Sequence, residues 1–390
     1  MFDFYRLRAD AHVSTRSAAV LALVIGCVLL FGGFVACSEV RDDDTAPVES
    51  AGIEVIDSLG RIVRLEQPPQ RIVLTGRSNI MLIDALYLFP EVSSRVVGVG
   101  PSDQGQGDFF AVLEPRAATM TRFGRTVTTE EILTVQPDLV VLKDAVRDSV
   151  GRPLETLGVT VLYLDLETPD RFERDILSLG HVLGQTDRAE ELVRFYRDRI
   201  ERVQTRVRAA LTDAEPPRVL VLEYTDQAGS AVFRVAPSDW MQTQQVRYAG
   251  ATPVWVDAAT EPRWTPVSFE QIARWDADAI VLVSFGRPVD DVVETMLADP
   301  LWQNLRAVRD ARLFGMPGDF VSWGQPSSRW ILGVEWLSRV LYPQAFGTEP
   351  FLADVAGFFV EMYGLDRQRF ESEVLPTISP PISPTWVDGP

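Results

Sequence analysis

Four cations in this sequence stand just beyond short apolar runs, and an anion is the ligand such a set could hold. Arg77 follows Arg71–Leu74, Arg125 follows Phe123-Gly124, Lys143 directly follows Leu139–Leu142, and Arg287 follows Ala279–Val283. Ser78 adds a hydroxyl beside the first. Tyr224, Trp240 and Trp323 offer ring faces or a phenolic oxygen at other run ends, whereas Trp264 and Trp302 read as core. Guanidinium forks and a compact ammonium pair well with carboxylates and oxyanions. Lys143 stands out as the only lysine of the chain. Each arginine taken alone is an ordinary surface residue, and their shared position is what suggests a site.

The remaining chemistry-bearing residues exclude more than they suggest. Asp144 follows the single lysine, so the Lys-Ser/Thr of a phosphate-cradling loop is nowhere in the chain. Two histidines, His12 and His181, and two cysteines, Cys27 and Cys37, cannot furnish a zinc finger, a CxxC redox pair or an HExxH protease site. His181 lies among Leu179–Leu183 and reads as a structural histidine. An axial haem ligand would have to be Tyr224, and no cluster of histidines and carboxylates suits a bare divalent cation. No cofactor is expected. An extracytoplasmic α/β enzyme is an alternative, but no GxSxG elbow and no GxGxxG after a strand supports it. A net charge of −18 leaves no electrostatic footprint for nucleic acid.

What must position the cations is an alternation of β-branched runs and helix-like stretches, the pattern of parallel sheets wrapped by helices. Strands are expected at Arg71–Leu74, Val96–Val99, Leu139–Leu142 and Val159–Leu164, and a second series follows Pro217 at Val219–Leu222, Ala231–Val235, Ala279–Val283 and Arg312–Met316. Residues 187–213 contain no Pro or Gly and place Ala189, Leu192, Phe195, Ile200, Val203 and Val207 near one face, so one helix of about 40 Å is expected to bridge two lobes. The fold class is therefore α/β: two lobes with parallel-rich sheets, one long rigid helix, and a cleft between them. Ligands of open α/β sheets bind beyond the carboxyl ends of the strands, which is where the four cations stand.

The first 36 residues carry Arg6, Arg8 and Arg16 ahead of an uncharged apolar run from residue 18 to 36, the layout of a secretory signal. Ala36-Cys37 resembles a lipoprotein processing box, with acylated Cys37 as the mature N-terminus; Gly26-Cys27 is a competing box with too short an apolar run before it. The expected organisation is a signal peptide (1–36), a tether (37–52), an N-terminal lobe (53–186), the bridging helix (187–213), a C-terminal lobe (214–370) and a disordered tail (371–390). The body is expected outside the cytoplasm, lipid-anchored to the cell membrane, and monomeric.

Several segments in order carry a family resemblance. Val55-Ile56-Asp57-Ser58-Leu59-Gly60-Arg61, Pro68-Pro69-Gln70-Arg71-Ile72-Val73, Gln136-Pro137-Asp138-Leu139-Val140-Val141 and Asp299-Pro300-Leu301-Trp302 together resemble substrate-binding proteins of iron-complex and cobalamin ABC importers, over residues 53 to 365. The resemblance implies no catalysis, and delivery of a ligand to a permease and its ATPase. An anionic iron chelate of siderophore type is the leading expectation, with an oxyanion such as molybdate or tungstate, or a corrinoid, as alternatives. Glu130 and Glu270 each stand seven residues before Pro137 and Ala277, in the first turns of helices begun by Thr128 and Ser268. The placement suits helix capping. The resemblance instead implies one exposed glutamate per lobe that docks on permease arginines.

Overall fold

The alternating runs form two sheets in the computed structural model, which describes residues 52–382 except 103, 212–214, 228–229 and 348–349. Cys27, Cys37, the signal and nearly all of the tether lie outside the described residues. An entry hairpin, β1 (Ile53–Ile56) and β2 (Ile62–Leu65), precedes the first sheet. That sheet contains β3 (Ile72–Leu74), β4 (Val96–Val99), β5 (Thr121–Arg122), β6 (Leu139–Lys143) and β7 (Val161–Leu164), in the order β5-β4-β3-β6-β7 and parallel throughout. β3, β6 and β7 are wholly buried. Two covered faces explain why these strands read as continuous apolar runs and not as alternating ones.

The second sheet contains β8 (Arg218–Gln227), β9 (Ser230–Val235), β10 (Thr252–Pro253), β11 (Thr265–Val267), β12 (Ala279–Ser284) and β13 (Leu313–Gly315). Its order is β11-β9-β8-β12-β13, with β10 beside β8. The β8, β12 and β13 strands are parallel, while β9 and β11 add an antiparallel margin. β5, β10 and β11, two or three residues each, carry too little apolar patterning to be foreseen, and the entry hairpin was not among the expected strands.

Helices of the first half are α1 (Asn79–Leu86), α2 (Val92–Arg95), α3 (Phe109–Leu113), α4 (Thr129–Leu133), α5 (Arg152–Thr156), α6 (Pro169–Leu183) and α7 (Thr186–Ala210). The second half contributes α8 (Met241–Tyr248), α9 (Phe269–Trp275), α10 (Val289–Ala298), α11 (Arg306–Arg309), α12 (Trp330–Leu341), α13 (Pro343–Phe346) and α14 (Phe351–Tyr363). α7 follows the first sheet and precedes the second, and its 25 residues span about 38 Å. Its buried face is Ala189, Leu192, Val193, Tyr196, Arg199, Val203 and Val207. Phe195 and Ile200 are only partly covered. The charged member of that face, Arg199, is compensated by Glu335 at 2.9 Å and lies 4.4 Å from the Phe195 ring.

The C-terminal segment corrects an expectation. Residues 371–382, read as the start of a disordered tail, are packed: Val374 and Ile378 are buried, as is Phe370 just before them, and Ser379 exchanges backbone hydrogen bonds with Gly318 at 3.0 and 2.9 Å. Arg369 donates to the Val112 carbonyl at 2.5 Å, so the segment is tied to α3 of the first lobe as well as to the second. Prolines at 376, 380 and 381 suggested disorder, but apolar side chains spaced four apart gave the segment something to bury. His181 is exposed in the last turn of α6.

Candidate functional site

Strand register sets the cleft edge of the first lobe. Leu74 lies opposite Val99 and Val141, and Val99 opposite Arg122, so the chain leaves β3, β4, β5 and β6 at one level. Thr75 to Ser78 leave β3, and the segment from Gly100 leaves β4. Arg77 and Arg125 are exposed on this edge, and among the described residues neither has an ion-pair or hydrogen-bond partner. Arg77 immediately precedes Ser78, the N-cap of α1, which has φ of 56° and makes no side-chain cap. The first amides of a helix lack intrahelical acceptors and carry the positive end of its dipole. Behind them, Thr75 Oγ1 and Asn79 Oδ1 are buried and, among the described residues, unpaired, while Asn79 Nδ2 donates to the Gly100 carbonyl at 2.8 Å.

Lys143, on the same edge, is turned inward. Its side chain is 4% exposed, and its ammonium donates to Glu167 Oε1 at 2.8 Å and to the Asp165 carbonyl. The neighbouring Asp144 carboxyl is pushed upward by burial and by Asp165, with Lys143 opposing. Lys143 therefore neutralises an acidic corner. The same corner meets the other lobe, because the Glu167 carbonyl accepts from Met241 N at 2.8 Å and Arg171 reaches Asp239 at 3.4 Å.

The second lobe faces this edge with aromatic groups. Trp240, half-buried at the start of α8, meets Trp264 edge-on at 5.7 Å, and Trp264 meets Phe285 at 6.1 Å. Trp264, read as core, thus stands half-buried in an aromatic row; nothing in its local sequence distinguishes it from a packed tryptophan. Trp302 is core, at 3% exposure. Trp323 is the opposite correction: it is fully buried, its indole donating to Asp319 at 3.0 Å, so it presents no ring to the cleft. Tyr224 is buried against Phe233, and Arg287 lies 5.8 Å from its ring and 3.6 Å from Asp291.

The lobes touch where Gly105 N donates to the Phe285 carbonyl at 3.0 Å, Gln106 N to the Phe320 carbonyl at 2.7 Å, and Gln325 Nε2 to Gln104 Oε1 at 2.6 Å. Gly105 has φ of 96°, and a Cβ there would collide with the Phe320 carbonyl, so only glycine permits this approach. A small cavity of about 30 Å³ adjoins the contact, lined by Gly105, Gln106, Arg287, Asp319 and Ser379 among others; Arg77 and Arg125 do not line it. Within the described residues no group of His, Cys, Asp or Glu is arranged to hold a metal ion.

Glu130 and Glu270 occupy matching places on α4 and α9, and both are exposed. Capping belongs to their neighbours. Thr128 and Glu131 exchange hydrogen bonds at 3.3 and 2.8 Å, and Ser268 and Gln271 do so at 3.3 and 2.9 Å. The Ser268 hydroxyl and the backbone amide of Glu270 itself hold the Glu270 carboxyl below the usual range. The repeat is real, but the residue that completes each box stands one position later than expected.

The sequence profile of the periplasmic binding protein family matches residues 72–320, more than half of the chain. The chain is 25% identical over 311 residues to the molybdate-binding protein MolA of Haemophilus influenzae, covering 75% of this chain and 85% of that one. The structure of the Haemophilus protein bound to molybdate has the same fold, with a TM-score of 0.63 and 21% identity over 80% of this chain and 98% of that chain. A periplasmic heme binding protein from Pseudomonas aeruginosa gives a TM-score of 0.54 and 26% identity, covering 70% of this chain and 93% of that one.

Proposed function

The chain belongs to the periplasmic binding protein family, a solute-binding protein of an ABC importer that works outside the cytoplasm and not an enzyme, and on that premise we propose that its ligand is a small oxyanion of the molybdate and tungstate type. The observation that carries the reading is the start of α1, where the side chain of the N-cap residue Ser78 does not cap the helix amides, with Arg77, unpaired among the described residues, immediately before it. Amides at a helix start bind anionic oxygens without bringing in a formal charge of their own, and the guanidinium supplies the charge. Arg125 on the same edge adds a second cation. A relative named as molybdate-binding, matched along most of both chains, supports the same chemistry.

The iron chelate expected from the sequence is the second reading, favoured by the aromatic row of Trp240, Trp264 and Phe285, which a bare oxyanion does not require. Calorimetric titration with molybdate, tungstate, sulfate and a ferric siderophore separates the two. Tight binding of molybdate or tungstate, weakened about ten- to a hundredfold in Arg77→Ala by loss of a charge-assisted contact, is the expected result. Binding of the ferric chelate with no response to molybdate or tungstate would reverse the order of the readings.

Two further features complete the reading. Cys37 carries the lipid that tethers the body to the membrane through residues 38–52, and the bound protein docks on its permease through Glu130 and Glu270. The exposure of both glutamates, with each capping box completed by the following residue, supports the docking role.

A further inference from the structure

One guanidinium joins the two lobes at the base of the cleft. Arg329 precedes α12 in the second lobe, and its Nη1 donates to both carboxylate oxygens of Asp84 at 2.5 Å. Its Nε donates to Asp319 Oδ2 at 2.8 Å. All three side chains have no solvent exposure. Asp84 lies on α1, the helix whose first turn carries the proposed anion site. Asp319 opens the loop that supplies the Phe320 carbonyl and the Gln325 amide to Gln106 and Gln104 of the first lobe. The triad thus ties the helix behind one cleft wall to the loop that forms the other.

The remaining contacts leave the carboxylates little freedom. Asp84 Oδ2 also accepts from the Ser328 amide at 3.2 Å and the Ser328 hydroxyl at 2.9 Å. Asp319 accepts from Phe320 N at 2.6 Å and from the Trp323 indole. The Phe109 ring covers the guanidinium at 4.0 Å. Two carboxyl groups face one guanidinium here, and burial pushes that of Asp319 upward against the pull of Arg329. Apolar residues of similar volume often stabilise a core as well as a buried ion cluster does or better, so stability alone is a weak reason for it. A planar fork that addresses two carboxylates in fixed directions does something apolar packing cannot, because it sets a distance and an angle between the elements it joins.

We propose that Arg329 is a positioning residue of the ligand cleft, holding α1 and the 316–325 loop at the separation the ligand must span. The proposal rests on α1 as the anion-binding wall, and it implies that affinity depends on a residue with no access to the ligand. A lysine at this position carries all its donors on one nitrogen and cannot keep both carboxylates in their present directions, which Arg329 addresses from Nε and Nη1.

Arg329→Lys and Asp319→Asn in the full chain test it, the second keeping the side chain's size and leaving the Asp84–Arg329 pair in place, with a thermal melt of each variant to establish that it folds. Hydrogen–deuterium exchange without ligand reads the walls. Faster exchange confined to residues 100–107 and 316–325, together with molybdate binding weakened about tenfold by lost preorganisation, is the expected result. A general loss of stability would instead raise exchange throughout the core. Unchanged exchange in the two loops, or loosened loops with the parent's affinity, overturns the proposal. If the parent ignores molybdate and tungstate, the oxyanion reading fails by itself, and the exchange pattern with ferric-chelate affinity then decides the role of Arg329 in the same way.

Discussion

Replacing Lys143 with methionine separates a ligand-binding lysine from one that neutralises the acidic corner of the first lobe. The ammonium is 4% exposed and bonded to Glu167, whose side chain is 22% exposed, with Asp144 and Asp165 close by. Removing one partner of a buried pair costs about 3–5 kcal/mol, because the remaining charge stays without compensation. Glu167 keeps part of its hydration, which places the expected loss at about 2–3 kcal/mol. Lys143→Met combined with Glu167→Gln removes both charges and should recover most of it. Urea denaturation of the parent, the single variants and the double variant measures the coupling between the two positions. The double variant should also bind ligand within a few-fold of the parent. A Lys143→Met protein within about 0.5 kcal/mol of the parent whose ligand affinity nonetheless falls tenfold or more would refute the reasoning, and would return the lysine to the ligand.

Glu130→Ala with Glu270→Ala should leave the fold and ligand affinity intact while strongly reducing uptake through the cognate permease, whereas Glu131→Ala should cost about 1 kcal/mol of stability through the lost capping box; normal uptake at normal protein level would remove the docking role. Asp175 is 1% exposed, and burial pushes its carboxyl up to about 6 against the pull of Arg174 and two backbone amides. The folded state therefore holds that proton more tightly than the unfolded state, so this residue's contribution to stability is present below about pH 4 and is lost as the pH rises to about 6. Asp175→Asn should flatten that slope in urea midpoints measured from pH 4 to 7, and an unchanged slope would reject the assignment. Ending the chain after Leu365 removes the buried Phe370, Val374 and Ile378 and should lower stability by about 2–4 kcal/mol, less than full transfer values because the segment also regains its conformational freedom; an unchanged melting temperature would show that the segment contributes no net stability.

Sequence by itself determined the parts of this protein that depend on local patterning. Parallel strands buried along most or all of their length are continuous apolar runs, so β3, β4, β6, β7 and β12 were legible, and a 25-residue stretch without Gly or Pro could hardly avoid being α7. Strand ends followed from strands, which is why Arg77 was expected beyond β3, whereas Arg125 follows β5, a strand the sequence did not announce. Direction and partnership were decided only by the tertiary structure. Lys143 and Arg77 both follow apolar runs, yet one is folded in on Glu167 and the other is exposed and unpaired among the described residues, and the difference comes from Asp165 and Glu167 on a different strand's loop. Trp264 and Trp323 exchanged the roles their neighbours suggested, because burial of a ring depends on what the opposite element brings to it. The Asp84–Arg329–Asp319 triad joins residues 245 positions apart at its widest. Charges so distant in the chain have no pattern to share, and only the closing of one lobe on the other turns them into a site.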